Sequence, residues 1–147
     1  MFEKPPFSKE EEQRILEAIK AAELNTSGEI RLHVEPSCKS TTLDRAAQMF
    51  DKLGMNKTEQ RNGVLVYLAL NDRKFAIIGD KGINEKVPQN FWEQTKDLMS
   101  DHFRKGNIVE GIIEGIVDAG EQLKQYFPYH QGGVNELKDD ISYGKHE

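Results

Sequence analysis

A single cysteine, a single tryptophan and only five prolines stand among 147 residues. Cys38 on its own excludes an internal disulfide framework and a cysteine-built zinc site. Positive charge is also short: 20 Lys+Arg oppose 25 Asp+Glu, a net charge of −5. Duplex DNA and anionic membranes require a basic face, so neither is an expected partner. Long apolar runs are missing. The longest block, Val64–Leu70, falls far below the ~20 residues that span a bilayer. Met1–Phe7 contains two prolines and no apolar stretch, which argues against a signal peptide and for a cytoplasmic chain.

Several catalytic signatures are missing as well. No G-x-x-x-x-G-K-[ST] loop occurs, which excludes P-loop nucleotide chemistry. No Asp-x-Asp pair follows a strand to support an aspartyl-phosphate. Cys38 is followed by Arg45 one residue too late for a cysteine-phosphatase loop, and no neighbour is evident that would lower its pKa. His33, His102, His130 and His146 lack the i,i+4 spacing of a helical zinc site and read as surface residues.

What remains is a folded α/β pattern. With 37% hydrophobic and 31% charged residues, the chain fits one domain with one real core. Ser8 and Glu11 form an S-x-x-E capping box ahead of a helical stripe at Ile15, Leu16, Ile19 and Ala22. Glu29–Glu35 alternates as EIRLHVE, with Ile30, Leu32 and Val34 on a covered face and Arg31, His33 and Glu35 on the other. A second helix is expected at about 42–53, stopped by Gly54. The run from Gly63 is apolar without alternation, as in a central strand covered on both faces. Asn71-Asp72-Arg73 turns it into a second strand, Lys74–Gly79, as an antiparallel hairpin. Two further helices follow, one opening at Pro88 and ending at Gly106, the next capped by Asn107 with Glu110. Gly111 and Gly115 suit close packing or exposure, and Tyr126-Phe127-Pro128-Tyr129 closes the edge of the core. From Pro128 onward the chain reads as irregular. The predicted fold is a three-layer α/β/α sandwich with a small mixed sheet (Rossmann-like). Its domain covers 1–130, with a polar tail at 131–147.

Strand direction places the candidate site. The two parallel strands start at Thr26–Glu29 and Arg61–Gly63, and the reversed third strand finishes at Gly79–Gly82 on the same rim. Glu29 and Asp80 are the candidate ligands for a hard cation. Arg61 and Lys81 are candidates for an anion such as phosphate. The plainer alternative is a set of turn glycines with a solvated acid–base pair worth ~0–1 kcal/mol. The opposite rim, with Glu35, Ser37, Asn71, Asp72 and Arg73, ranks second because a tight turn closes it. Asp118 reads as a surface acid or a third contributor to an acidic site.

The order of Thr26-Ser27-Gly28-Glu29-Ile30, Arg61-Asn62-Gly63-Val64-Leu65, Asp72-Arg73, Ile78-Gly79-Asp80-Lys81-Gly82-Ile83-Asn84, and Phe103 with Gly106, Gly111 and Gly115 resembles the TPM-domain family. The likeness spans about residues 8–127. It implies an α/β sandwich and divalent-cation binding, with Ca²⁺ or Mg²⁺ as the cofactor. It also implies an acid-phosphatase-like hydrolysis of a phosphate ester, or else an accessory role in assembling or repairing a membrane-associated complex through a protein partner. The same likeness favours the rim of Glu29, Arg61, Asn62 and Asp80. It leads us to expect Glu29 and Asp80 on metal, and Arg61, Asn62 and Lys81 on substrate.

Overall fold

A computed structural model describes residues 2, 4–129 and 141–144. The first helix, α1 (Lys9–Glu23), opens on the predicted box. Ser8 Oγ accepts from the Glu11 N–H at 3.0 Å, and Glu11 Oε1 accepts from the Ser8 N–H at 2.8 Å. Strand β1 (Glu29–Glu35) leads to α2 (Thr42–Lys52), whose N-terminus is capped by the Thr41 hydroxyl and which is followed by Gly54 at φ 70°. All seven residues of β2 (Gly63–Ala69) are buried. Strand β3 (Lys74–Gly79) folds back on β2 as the expected hairpin, with Ala69 opposite Lys74 and Val64 opposite Gly79. A short helix α3 (Lys81–Asn84), the helices α4 (Glu93–Arg104) and α5 (Ile108–Leu123), and a strand β4 (Ile141–Tyr143) complete the described chain.

The sheet order is β3-β2-β1-β4. β1 runs parallel to β2 in register, Glu29 beside Gly63 through Glu35 beside Ala69, and parallel to β4 on its other edge. Alternation sends Ile30, Leu32, Val34, Val64, Val66, Leu68 and Ile77 into one core with residues of α1, α4 and α5. Leu65, Tyr67, Ala69 and Ala76 face α2 in a second, smaller core. Helices thus cover both faces of a mixed sheet, and the fold is the expected α/β sandwich. Gly111 and Gly115 let α4 and α5 pack closely: a Cβ would lie 2.6 Å from the Phe103 ring at Gly111 and 2.5 Å from Met99 at Gly115. Phe127 is buried, and its carbonyl accepts the Ser27 N–H at 2.9 Å, so the aromatic run does close the core's edge.

Several local expectations need correction. The helix expected from Pro88 starts at Glu93, because Pro88–Trp92 is taken up by successive turns, Phe91 N–H to Pro88 O and Glu93 N–H to Asn90 O, both 3.1 Å. Asn107 makes no side-chain cap. The region beyond Pro128 is not irregular throughout, since Ile141–Tyr143 is a strand; three residues are too few for a periodic signal. β1 is covered on both faces, and His33 is buried rather than at the surface. His130, His146 and the polar segment at 130–140 lie outside the described residues. Among those described, no helix is long and apolar enough to cross a membrane.

Candidate functional site

The three segments expected to converge do so through backbone hydrogen bonds. The Glu29 N–H donates to Asn62 O at 3.2 Å, and the Asp80 N–H donates to Gly63 O at 2.9 Å. Glu29 and Asp80 therefore flank the end of β2, about 10 Å apart at the backbone across two strand spacings. Strand alternation carries both side chains to the α2 face, with the side-chain-free Gly63 between them. A Cβ on Gly63 would lie 2.8 Å from the Met55 carbonyl oxygen, so glycine is required there.

The rim is polar yet sealed. Glu29, Asn62 and Asp80 are only 5%, 2% and 6% exposed. Asp80 is heavily engaged: Arg61 Nε donates to Oδ2 at 2.7 Å and Nη2 to Oδ1 at 2.9 Å, while the Lys81 N–H donates to Oδ1 at 2.8 Å and caps α3. This two-pronged pair raises the pKa of the Arg61 guanidinium. The Arg61 backbone sits at φ 51°, in the left-handed region, and its carbonyl accepts the Gly82 N–H at 2.9 Å. Asn62 Nδ2 donates to Ser27 O at 3.2 Å, but its buried Oδ1 has no hydrogen-bond partner among the described residues. An orphaned buried oxygen costs about 1–3 kcal/mol, so its persistence calls for a physical reason.

A cavity of about 440 Å³ opens beside Asp80, lined in part by Asp51, Lys81, Asn84 and Glu85. The Lys81 ammonium is exposed and lies 3.9 Å from Glu85. Glu29, Arg61 and Asn62 do not belong to that lining. The predicted site residues are thus divided: Asp80 and Lys81 face the cavity, Glu29 and Asn62 are closed off at the same rim, and Arg61 reaches the site through Asp80. No group of three or more His, Cys, Asp and Glu side chains among the described residues is gathered tightly enough to hold a metal. A cation here would draw on the Glu29 and Asp80 carboxylates, backbone carbonyl oxygens and water, a donor set that suits a hard ion such as calcium.

The opposite rim holds a network that the sequence reading missed. The Glu35 carboxylate accepts from Arg45 Nε (2.9 Å), Arg45 Nη2 (2.6 Å) and the Tyr67 hydroxyl (2.7 Å), and His33 Nε2 lies 3.2 Å away. Burial pushes the Glu35 pKa up, but the bonds from Arg45, Tyr67 and His33 together outweigh it and hold the pKa at about 2. Burial lowers the pKa of His33 and raises that of Tyr67. His33 Nδ1 lies 2.7 Å from Ser142 Oγ, and Gly144 covers Glu35, where a Cβ would fall 2.1 Å from Oε2. With its acceptors filled and its top covered, this cluster acts as an internal anchor. Its sequence signal was Tyr67 in an otherwise apolar strand, since a buried phenol needs a hydrogen-bond partner. Cys38 lies nearby in its loop, its N–H bonded to Asp72 Oδ2 at 2.7 Å and its thiol 3.2 Å from Ser40 O. Asp118 belongs to neither rim: it accepts from Thr95 Oγ1 at 2.6 Å and Gln94 Nε2 at 2.8 Å, in a groove between α4 and α5.

Comparison with known proteins accords with this fold. Among curated proteins none matches. The NMR structure of the BA42 protein from Bizionia argentinensis superposes with a TM-score of 0.92 at 42% identity, covering 97% of this chain and 99% of that one. Two solution structures share the fold at lower identity. The N-terminal domain of a protein from P. gingivalis has TM-score 0.68 and 21% identity, covering 85% of this chain and 82% of its own. The N-terminal domain of the cg2496 protein from Corynebacterium glutamicum has TM-score 0.63 and 12% identity, covering 100% and 95%. Residues 6–122 match the TPM domain, and the chain belongs to the TPM-domain family.

Proposed function

We propose that the rim of Glu29 and Asp80 is a divalent-cation site, for calcium or magnesium, that serves hydrolysis of a phosphate ester. The observation that carries this reading is a pair of buried carboxylates, Glu29 and Asp80, carried to one face of the sheet on either side of the side-chain-free Gly63. Ionised carboxylates are poor contacts for phosphate, which offers acceptors, and good ones for a hard cation. Glu29 and Asp80 supply the negative charge. Arg61 and Lys81 supply positive charge within reach of the cavity, where they would hold and orient the phosphate. A cation at this rim would supply Lewis-acid polarisation of the phosphoryl oxygen and activation of water.

Calcium titration followed by amide NMR is expected to shift Glu29, Asn62 and Asp80. An absence of shifts at millimolar calcium would overturn the site. Asp80→Asn is expected to lower p-nitrophenyl phosphate hydrolysis about a hundredfold or more, the scale of a lost charge-stabilising contact. Unchanged turnover would remove Asp80 from the reaction.

A further inference from the structure

The cation-site reading leaves Arg61 in an odd position. Its guanidinium occupies both oxygens of the carboxylate that the cation needs, at 2.7 and 2.9 Å. We propose that Arg61 is a resident counter-ion for Asp80 that an anionic ligand draws away, so that phosphate and cation bind cooperatively. This inference rests on the cation-site reading and adds to it the order and coupling of the two ligands.

The geometry separates a fixed backbone from an exchangeable side chain. The Arg61 carbonyl is held by the Gly82 N–H, and α3 packs so closely on the Gln60–Arg61 segment that a Cβ on Gly82 would lie 2.1 Å from Gln60 O and 2.7 Å from Arg61 O. The side chain is 44% exposed, whereas Asp80 beneath it is 6% exposed. Asp51, Asp80 and Glu85 line the adjoining cavity. Arg61 thus neutralises an acidic site from outside, as a bound cation would. A guanidinium binds phosphate with the same two-pronged geometry it uses for carboxylate. When a phosphate takes Arg61, it uncovers Asp80 in an acidic cavity and removes the positive charge that opposes an incoming cation. By linkage, the cation must then strengthen phosphate binding by the same factor.

The test is calorimetric titration of calcium chloride into the wild type with and without saturating methyl phosphate, alongside the Arg61 Nε–Hε NMR resonance. Methyl phosphate is expected to tighten calcium binding about tenfold, within the range usual for coupled sites. It is also expected to shift the Arg61 Nε–Hε signal before calcium is added. Arg61→Gln is expected to bind calcium more tightly than wild type and to lose the effect of methyl phosphate. If that variant does not fold, Arg61→Lys, which keeps the charge without the fork, is expected to show weaker coupling. Calcium binding at Glu29 and Asp80 that methyl phosphate leaves unchanged, or an unmoved Arg61 signal, would overturn the exchange while leaving the cation site standing. No calcium binding in wild type or variant, with or without methyl phosphate, would overturn both.

Discussion

Glu35 is a buried carboxylate whose charge depends on its immediate neighbours. Removing one partner of a buried ion pair costs about 3–5 kcal/mol, because the other charge is left without compensation. Glu35→Gln, which strands Arg45 and weakens the bond from Tyr67, is expected to lower unfolding stability in urea by about 3 kcal/mol. Acid should act on the same cluster. Glu35 has a folded pKa of about 2 against an ordinary value of 4.5, so its contribution is present above about 4.5 and is lost as pH falls toward about 2. His33 is held below its ordinary 6.5, so the unfolded chain takes up that proton first and stability begins to fall below about pH 6.5. Urea midpoints are expected to be level from pH 7.5 to about 6.5 and to decline from there to pH 3. A flat profile would mean that the cluster does not carry the charges assigned to it. The alternation of Arg31, His33 and Glu35 was readable in the sequence. The burial of His33 and Glu35 was not, because part of the cover comes from Ser142, 109 residues after His33.

Among the elements, those with long periodic signals were legible and the short ones were not. The capping box, the unbroken apolar run of β2 and the hairpin turn each left a local signature, and the parallel pairing followed from the β-α-β order. α3 spans four residues and β4 three, too short for any period to register. α3 nevertheless fixes the candidate site, because Gly82 presses on the main chain of Gln60 and Arg61. Gly82→Ala would force backbone apart rather than a flexible side chain. We expect a loss of about 1–3 kcal/mol, as for other overpacked positions, together with altered Arg61 and Asp80 amide shifts. Gly115→Ala meets only the thioether end of Met99, which can yield. It should cost less in the same urea experiment.

For the whole molecule, the order of local stability follows the order of the sheet. β2 is buried along its full length and paired on both sides, while β3 and β4 form the edges. Hydrogen exchange is expected to be slowest in β2, slow in β1, and fastest among the strands in β4, whose pairing covers only Leu32–Val34. Exchange in β4 as slow as in β2 would contradict this ranking. The location of the candidate site was legible at this scale, because strand direction alone brings the segments of Glu29, Asn62 and Asp80 to one rim. The Arg61 fork and the sealing of Asn62 depend on side-chain placement and left no periodic trace.

The cover over Glu35 has a consequence for biosynthesis. Translation delivers His33, Glu35, Arg45 and Tyr67 early, yet Ser142 reaches His33 only 109 residues later in the chain, with Gly144 close behind. Until then the nascent sheet carries a half-wrapped charge cluster and a bare strand edge, and the cluster closes only when that later segment arrives.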